Sequence, residues 1–256
     1  GSEMCIRDRL NIVYQETTVY GTDLYNGQKL LPELLRRLCR IEGISWIRVL
    51  YCYPEEINEE LIQVIKEEPK ICHYLDLPIQ HGSDAVLKRM GRRTTQAELR
   101  SIIGRLREEI PDIALRTTLI AGFPGETEAD FNDTLNLVKD VGFDAAFTFI
   151  YSKRSGTPAA AMEEQVPLEI KKARLNLLME AQNISSLQRN EALVGKTLEV
   201  LAEGPSNNNN KVWSGRTRTN KLVLWPVEGR DFELGDKVQV QIETAQTWLL
   251  KGKAVE

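Results

Sequence analysis

The 256-residue sequence has no apolar run approaching the ~18 residues that a membrane-spanning helix needs. It also has no basic leader followed by a short apolar segment, so nothing in it reads as a signal peptide. Cysteine is scarce. Cys5, Cys39, Cys52 and Cys72 lie 34, 13 and 20 residues apart, with no CxxC or CxxxCxxC cluster. That spacing argues against a disulfide scaffold and assigns no metal. Cys39, in an apolar helical stripe, and Cys52, after a strand-like run, read as buried thiols. An excess of one charge is also missing: 33 Lys+Arg face 37 Asp+Glu, for a net charge of -4. A uniformly basic nucleic-acid binder is excluded, but a local basic patch is not. What is present is a globular composition, 42% hydrophobic and 27% charged, with room for one large or two modest domains.

Residues 10–14, 46–51, 74–77, 114–120 and 145–151 read as strands separated by amphipathic helices. Pro32 suits a first helical turn, and Leu31, Leu34, Leu35, Leu38 and Ile41 form an apolar face. A second helix starts near Asn58. Thr95 with Glu98, and Thr127 with Asp130, have the spacing of capping boxes. This alternation predicts an α/β fold with a parallel sheet of about five strands, an open or partial barrel. A long polar helix follows Pro167, with Ile170, Leu177, Ala181 and Ile184 expected on its packed side. After Gly195 the period becomes two, and strands are expected at 197–202, 212–217, 222–226, 237–244 and 247–252. They predict a small all-β barrel with a loop at 207–210.

Ligands of α/β proteins bind beyond the carboxyl ends of the strands. That rule selects the segments 15–21, 53–55, 78–83, 122–126 and 152–157. Gly122 and Gly125 flank Pro124, so this backbone can approach a bound group closely. Arg116, on the preceding strand, needs an anionic partner: a ligand carboxylate, or Asp76 or Glu126. Neither His73 nor His81 has a partner at metal-ligand spacing. The stretch 88–107 is rich in arginine, an anion-facing surface or a solvated helical face. In the tail, Lys211, Arg216, Arg218 and Lys221 lie near Trp213 and Trp225, a combination suited to single-stranded RNA.

The strings Tyr74-Leu-Asp-Leu-Pro-Ile-Gln-His-Gly-Ser-Asp84, Lys88-Arg-Met-Gly-Arg-Arg-Thr-Thr95 and Gly122-Phe-Pro-Gly-Glu-Thr127 resemble the radical SAM methylthiotransferases. The resemblance implies a partial (βα) barrel lacking its first strand (10–166), a linking helix (167–194) and a TRAM barrel (195–256). It also implies a cytoplasmic enzyme using S-adenosylmethionine and, when complete, two [4Fe-4S] clusters. Residue by residue, it places Gln15, Gln80, Ser83, Arg116, Gly122, Gly125 and Glu126 near the cofactor. It places Arg216, Arg218, Asn220 and Lys221 at RNA. The family's CxxxCxxC loop is absent, so the chain alone is expected to be inactive and to hold no metal. The segment 1–9 resembles translated adapter sequence. The residues up to about 120 resemble the subfamily acting on an aspartate of ribosomal protein S12. Those after Asp130 resemble the subfamily acting on isopentenylated adenosine of tRNA, with a junction expected at 122–131. tRNA is the preferred partner. S12, and a non-catalytic RNA-binding role, are the alternatives.

Overall fold

Helix signals in the sequence set the frame of the computed structural model, which describes residues 9–24, 26–206, 209–227 and 229–255. Asn58, Thr95 and Thr127 each accept a backbone N–H in the first turn of a helix. These helices are α2 (Glu59–Glu67), α4 (Gln96–Glu109) and α5 (Glu128–Val141), and both expected capping boxes are formed. Helix α1 (Leu31–Cys39) carries Pro32 in its first turn. Short helices α3 (Asp84–Arg89) and α6 (Pro158–Ala161) were not legible in the pattern. The long helix α7 spans Leu168–Glu191.

Between them run β1 (Arg9–Ile12), β2 (Trp46–Val49), β3 (Ile71–Gln80), β4 (Ala114–Ala121) and β5 (Ala145–Ile150). They form one parallel sheet in chain order. β1 includes Arg9, which pairs with Trp46 and bonds to Glu203, so the native fold reaches into the segment expected as a foreign leader. Residues 1–8, Cys5 among them, lie outside the described residues. Strand β3 extends beyond the expected 74–77 at both ends, taking in much of the expected rim loop.

Alternation along each strand divides the sheet. Ile47, Val49, Leu75, Leu77, Leu115 and Leu119 pack with the helices in the main core. Trp46, Cys72, Tyr74 and Ala114 face the other way and pack on Leu201 of the tail. Helix α7 packs along α5 and β5, with Ala181 alone of the expected stripe buried. Leu178 and Ala181 are buried, together with the polar Lys171, Gln182, Ser185, Ser186 and Asn190, while Ile170, Leu177 and Ile184 are exposed. Hydrophobic spacing misassigns this face because the buried polar groups bond to β-strand ends: Gln182 to Phe143 O, Ser186 to Asp144 O and Lys171 to Tyr151 O.

The tail comprises β6 (Thr197–Ser206), β7 (Asn209–Thr217), β8 (Leu222–Pro226), β9 (Lys237–Ala245) and β10 (Leu250–Val255). Their pairing runs β10-β8-β7-β6-β9 and returns from β9 to β10. The ring makes this a mixed sheet, since β10 and β8 run parallel and the other pairs antiparallel. Val200, Val223, Trp225, Val240, Ile242 and Leu250 fill it. Asn209 and Asn210, expected in a loop, belong to β7, because Ser206 pairs with Asn209 across the hairpin. No helix among the described residues is long and apolar enough to cross a membrane.

Candidate active site at the carboxyl ends of the sheet

The ends of β3, β4 and β5 open into a cavity of about 850 Å³. Ile120, Phe123, Phe149 and Tyr151 give it an apolar wall, and Arg89, Arg92 and Arg154 add positive charge. Gln80 lines it from a left-handed backbone conformation (φ 72°), which a non-glycine residue adopts only under local constraint. Its side-chain oxygen is buried without a hydrogen-bond partner, as is the Tyr151 hydroxyl. Buried polar atoms are rarely left unpaired, and at the cavity these two are available to a polar group.

The glycine loop 122–126 forms one side. Its close approaches are to protein. A Cβ on Gly122 would lie 2.3 Å from Lys171 Cγ, and one on Gly125 would lie 2.7 Å from Glu164 Oε2. Glu126 turns away from solvent. It accepts from Gly122 N (2.8 Å), Phe123 N (3.3 Å), Arg174 Nη1 (2.8 Å) and His81 Nε2 (3.1 Å). His81 Nδ1 accepts from Ser83 N (3.0 Å), which leaves Nε2 to donate to Glu126. Ser83 caps α3 and donates to Asp130. Glu126 and Ser83 therefore shape the rim from behind.

Arg116 takes the first of the protein partners that the sequence left open. Its Nε donates to Asp76 Oδ1 at 2.9 Å, and its guanidinium lies 4.7 Å from the centre of the Phe147 ring. Gln15 is exposed after β1 and does not line the cavity. Its neighbour Glu16 was missed by sequence reasoning. Glu16 lines an adjoining cavity of about 390 Å³ with Tyr53, Glu55, Arg92 and Arg93. Burial pushes its carboxyl up to about 7, against hydrogen bonds from Tyr53 N and Thr18 N.

The arginine-rich stretch is mostly committed to protein. Arg100 pairs with Asp140, Arg105 with Glu59, and Arg107 bonds the carbonyls ending α5. In the tail, Trp225 is core, and Trp213 packs beside Phe232 at 5.8 Å. Arg216 bonds Asn220 O, Arg218 bonds Pro69 O and Ile71 O, and Lys221 bonds Asp144 and Asn190 at 2.9 Å each. The four residues expected at RNA thus cluster where the tail meets the sheet.

An iron–sulfur cluster needs several convergent thiolates. Cys52 lies in the helix-side core, Cys72 on the opposite face of the sheet, and Cys39 at the end of α1. Burial raises all three thiols above their ordinary range, Cys39 to about 11. No group of three or more potential ligands occurs among the described residues. These residues do not fit a cluster. The cavity presents an unpaired acceptor and an aromatic wall.

A family model for the Radical SAM superfamily matches residues 8–138, and one for the TRAM domain matches residues 191–255. The ribosomal protein uS12 methylthiotransferase RimO of Lachnoclostridium phytofermentans is 58% identical over 195 residues, 76% of this chain and 44% of that protein. The tRNA-2-methylthio-N(6)-dimethylallyladenosine synthase of Moorella thermoacetica is 47% identical over 247 residues, 96% of this chain and 55% of that protein. The chain therefore spans about half the length of the curated relatives it matches. A match of 195 residues has to cross the expected junction at 122–131, and so does one of 247, so relatives of both names run through it and do not divide the chain into halves. Among solved structures, the archaeal Elp3 of Methanocaldococcus infernus with an N-terminal deletion shares the fold at a TM-score of 0.50 and 13% identity, covering 69% of this chain and 45% of that one. The chain belongs to the radical SAM superfamily, as a homologue of its methylthiotransferases that carries a TRAM domain.

Proposed function

We propose that this chain is the sheet and TRAM portion of a methylthiotransferase that binds S-adenosylmethionine in the cavity at the ends of β3–β5. The observation carrying this reading is the buried, unpartnered Gln80 oxygen in an apolar-walled cavity at the strand ends. S-adenosylmethionine supplies the reactive alkyl chemistry when bound. Gln80 would accept a hydrogen bond from the ligand's amine or adenine N–H, and Phe149 and Phe123 would cover its planar base. Arg116, on the same sheet face, would hold a carboxylate in competition with Asp76. The Gly122–Glu126 backbone would keep the wall rigid through Glu126. Gln15 and Ser83 would act at the edge of the site or through α3. The fold divides for this purpose into the sheet at 10–166, the helix at 167–194 and the tail at 195–256.

The substrate we propose is tRNA carrying N6-isopentenyladenosine beside the anticodon, gripped through the tail by Arg216, Arg218, Asn220 and Lys221, in a cytoplasmic enzyme. The clusters that the family uses would depend on ligands beyond those described, and the chain alone would be inactive. A second reading, action on an aspartate of ribosomal protein S12, is favoured by the 58% identity to a protein of that name. A non-catalytic RNA-binding role is the third.

Calorimetric titration with S-adenosylhomocysteine tests the cavity. Saturable binding that weakens about tenfold in Gln80→Ala, the effect of losing about 1.4 kcal/mol, is expected. Absence of binding would remove the cofactor reading and leave the RNA-binding one. Binding of an anticodon stem-loop that falls steeply with salt favours the RNA substrate. Salt-insensitive capture of an S12 peptide favours the other.

A further inference from the structure

Arg48 sits in the middle of β2, on the sheet face away from the helices, and is 4% exposed. A buried guanidinium needs compensation, and here its acceptors are uncharged. It donates to Arg218 O at 3.0 Å, Thr217 O at 3.3 Å and Asn11 Oδ1 at 3.3 Å, and lies 5.4 Å from the centre of the Tyr74 ring. Two of these acceptors belong to the β7–β8 turn, some 170 positions away in sequence. The same turn reaches back. Arg218 donates to the carbonyls of Pro69 and Ile71 at the start of β3, and Lys221 donates to Asp144 before β5 and Asn190 of α7. Three cations thus stitch the turn to three strands and a helix. One nitrogen, Nη2, addresses both carbonyls while Nη1 reaches Asn11 on β1, so the guanidinium fork spans the turn and the neighbouring strand, which a single ammonium does not do.

We propose that Arg48 is a positioning residue: by holding the carbonyls of Thr217 and Arg218 it fixes the 217–221 turn to the sheet and keeps Arg218 and Lys221 on protein acceptors instead of phosphates. The first half of this stands on the interface alone. The second half rests on the RNA reading of the tail. In the docked state Arg216 lies 3.6 Å from Glu203 and keeps 38% side-chain exposure against 12% for Lys221. An RNA that needs all three must first release the turn.

Hydrogen exchange on the full chain tests the first half. Arg48→Met is expected to speed exchange about tenfold in peptides covering 69–75 and 214–221 while leaving α4 unchanged. Arg48→Lys, which keeps the charge and is the fallback if Arg48→Met does not fold, should show a smaller rise at the same two places. Unchanged exchange there, or an equal rise in α4, would overturn the assignment. The second half is read from the salt dependence of binding to a 20-nucleotide single-stranded RNA. The triple variant R48M/R218Q/K221M should show the slope of the starting chain, because the cations that release of the turn exposes are then gone. Arg48→Met should steepen it by about 1.4, the value for two additional phosphates at ~0.7 each. A slope in R48M/R218Q/K221M flatter than that of the starting chain would show that the docked turn already grips RNA and would overturn the withholding. If the chain binds no RNA at any salt, the RNA reading and the withholding fall together, and the exchange result alone decides the positioning role.

Discussion

The two ends of one sheet face differ in how they are finished. At the amino end of the strands Trp46, Cys72, Tyr74 and Ala114 close on Leu201 from the tail, and the Trp46 indole N–H finds Glu199 at 3.0 Å. Toward the carboxyl end β5 leaves Phe147 and Phe149 about half exposed, beside the cavity lined by Gln80 and Tyr151. Parallel sheets normally have both faces covered. Here the chain covers one end itself and leaves the other open as a cavity. The alternation of the strands is the same throughout, so the asymmetry comes from which partner arrives.

Truncation at the sealed end should therefore cost far more than at the open end. Trp46→Ala is expected to lower stability by about 3–5 kcal/mol, the range for removing a buried aromatic, read from the urea midpoint. Phe149→Ala should change it by less than about 1 kcal/mol while weakening ligand binding in the cavity. Equal losses at the two positions would mean that the open end is core, and the comparison would collapse.

Much of the frame was legible in the sequence because it is set by local rules. Thr95 with Glu98 and Thr127 with Asp130 sit at the right spacing and form their boxes. The five parallel strands, and those of the tail, follow from periodicity. What was not legible depends on long-range pairing. The buried side of α7 is polar, because its partners are carbonyls at strand ends. Arg218 and Lys221 look free for phosphate until the sheet is seen beneath them. The resemblance places Glu126 beside the cofactor, and its bonds to Arg174 and His81, 48 and 45 positions away, are not legible from its loop.

The rim itself should respond in graded fashion. Glu126→Ala leaves a buried imidazole, a guanidinium and two amides without their acceptor, and about 3 kcal/mol should be lost. Glu126→Gln, which retains an acceptor, should lose less. Gly122→Ala puts a Cβ at φ 75° and 2.3 Å from Lys171 Cγ, at a cost of about 2 kcal/mol from backbone strain and collision. Adding Lys171→Ala should recover the collision share and leave the strain, a coupling visible in a double-mutant cycle. Purely additive losses would show that α7 does not press on this loop.

The smallest effect concerns protons at the open end. Glu16 is held up to about 7 mainly by burial, with Glu56 and Glu55 adding repulsion and hydrogen bonds from Tyr53 N and Thr18 N opposing. One of its oxygens has no partner. Because the folded value lies above the reference of 4.5, folding favours the protonated acid. Its contribution is complete below the unfolded pKa and is lost as pH rises through about 7. Stability measured by urea midpoint should therefore decline between about pH 5 and pH 8. Glu16→Gln, which mimics the neutral acid, should flatten that decline. Parallel curves for the two proteins would mean that water reaches Glu16 freely, and that the open end is a solvent-filled cleft instead of a site with its own dielectric.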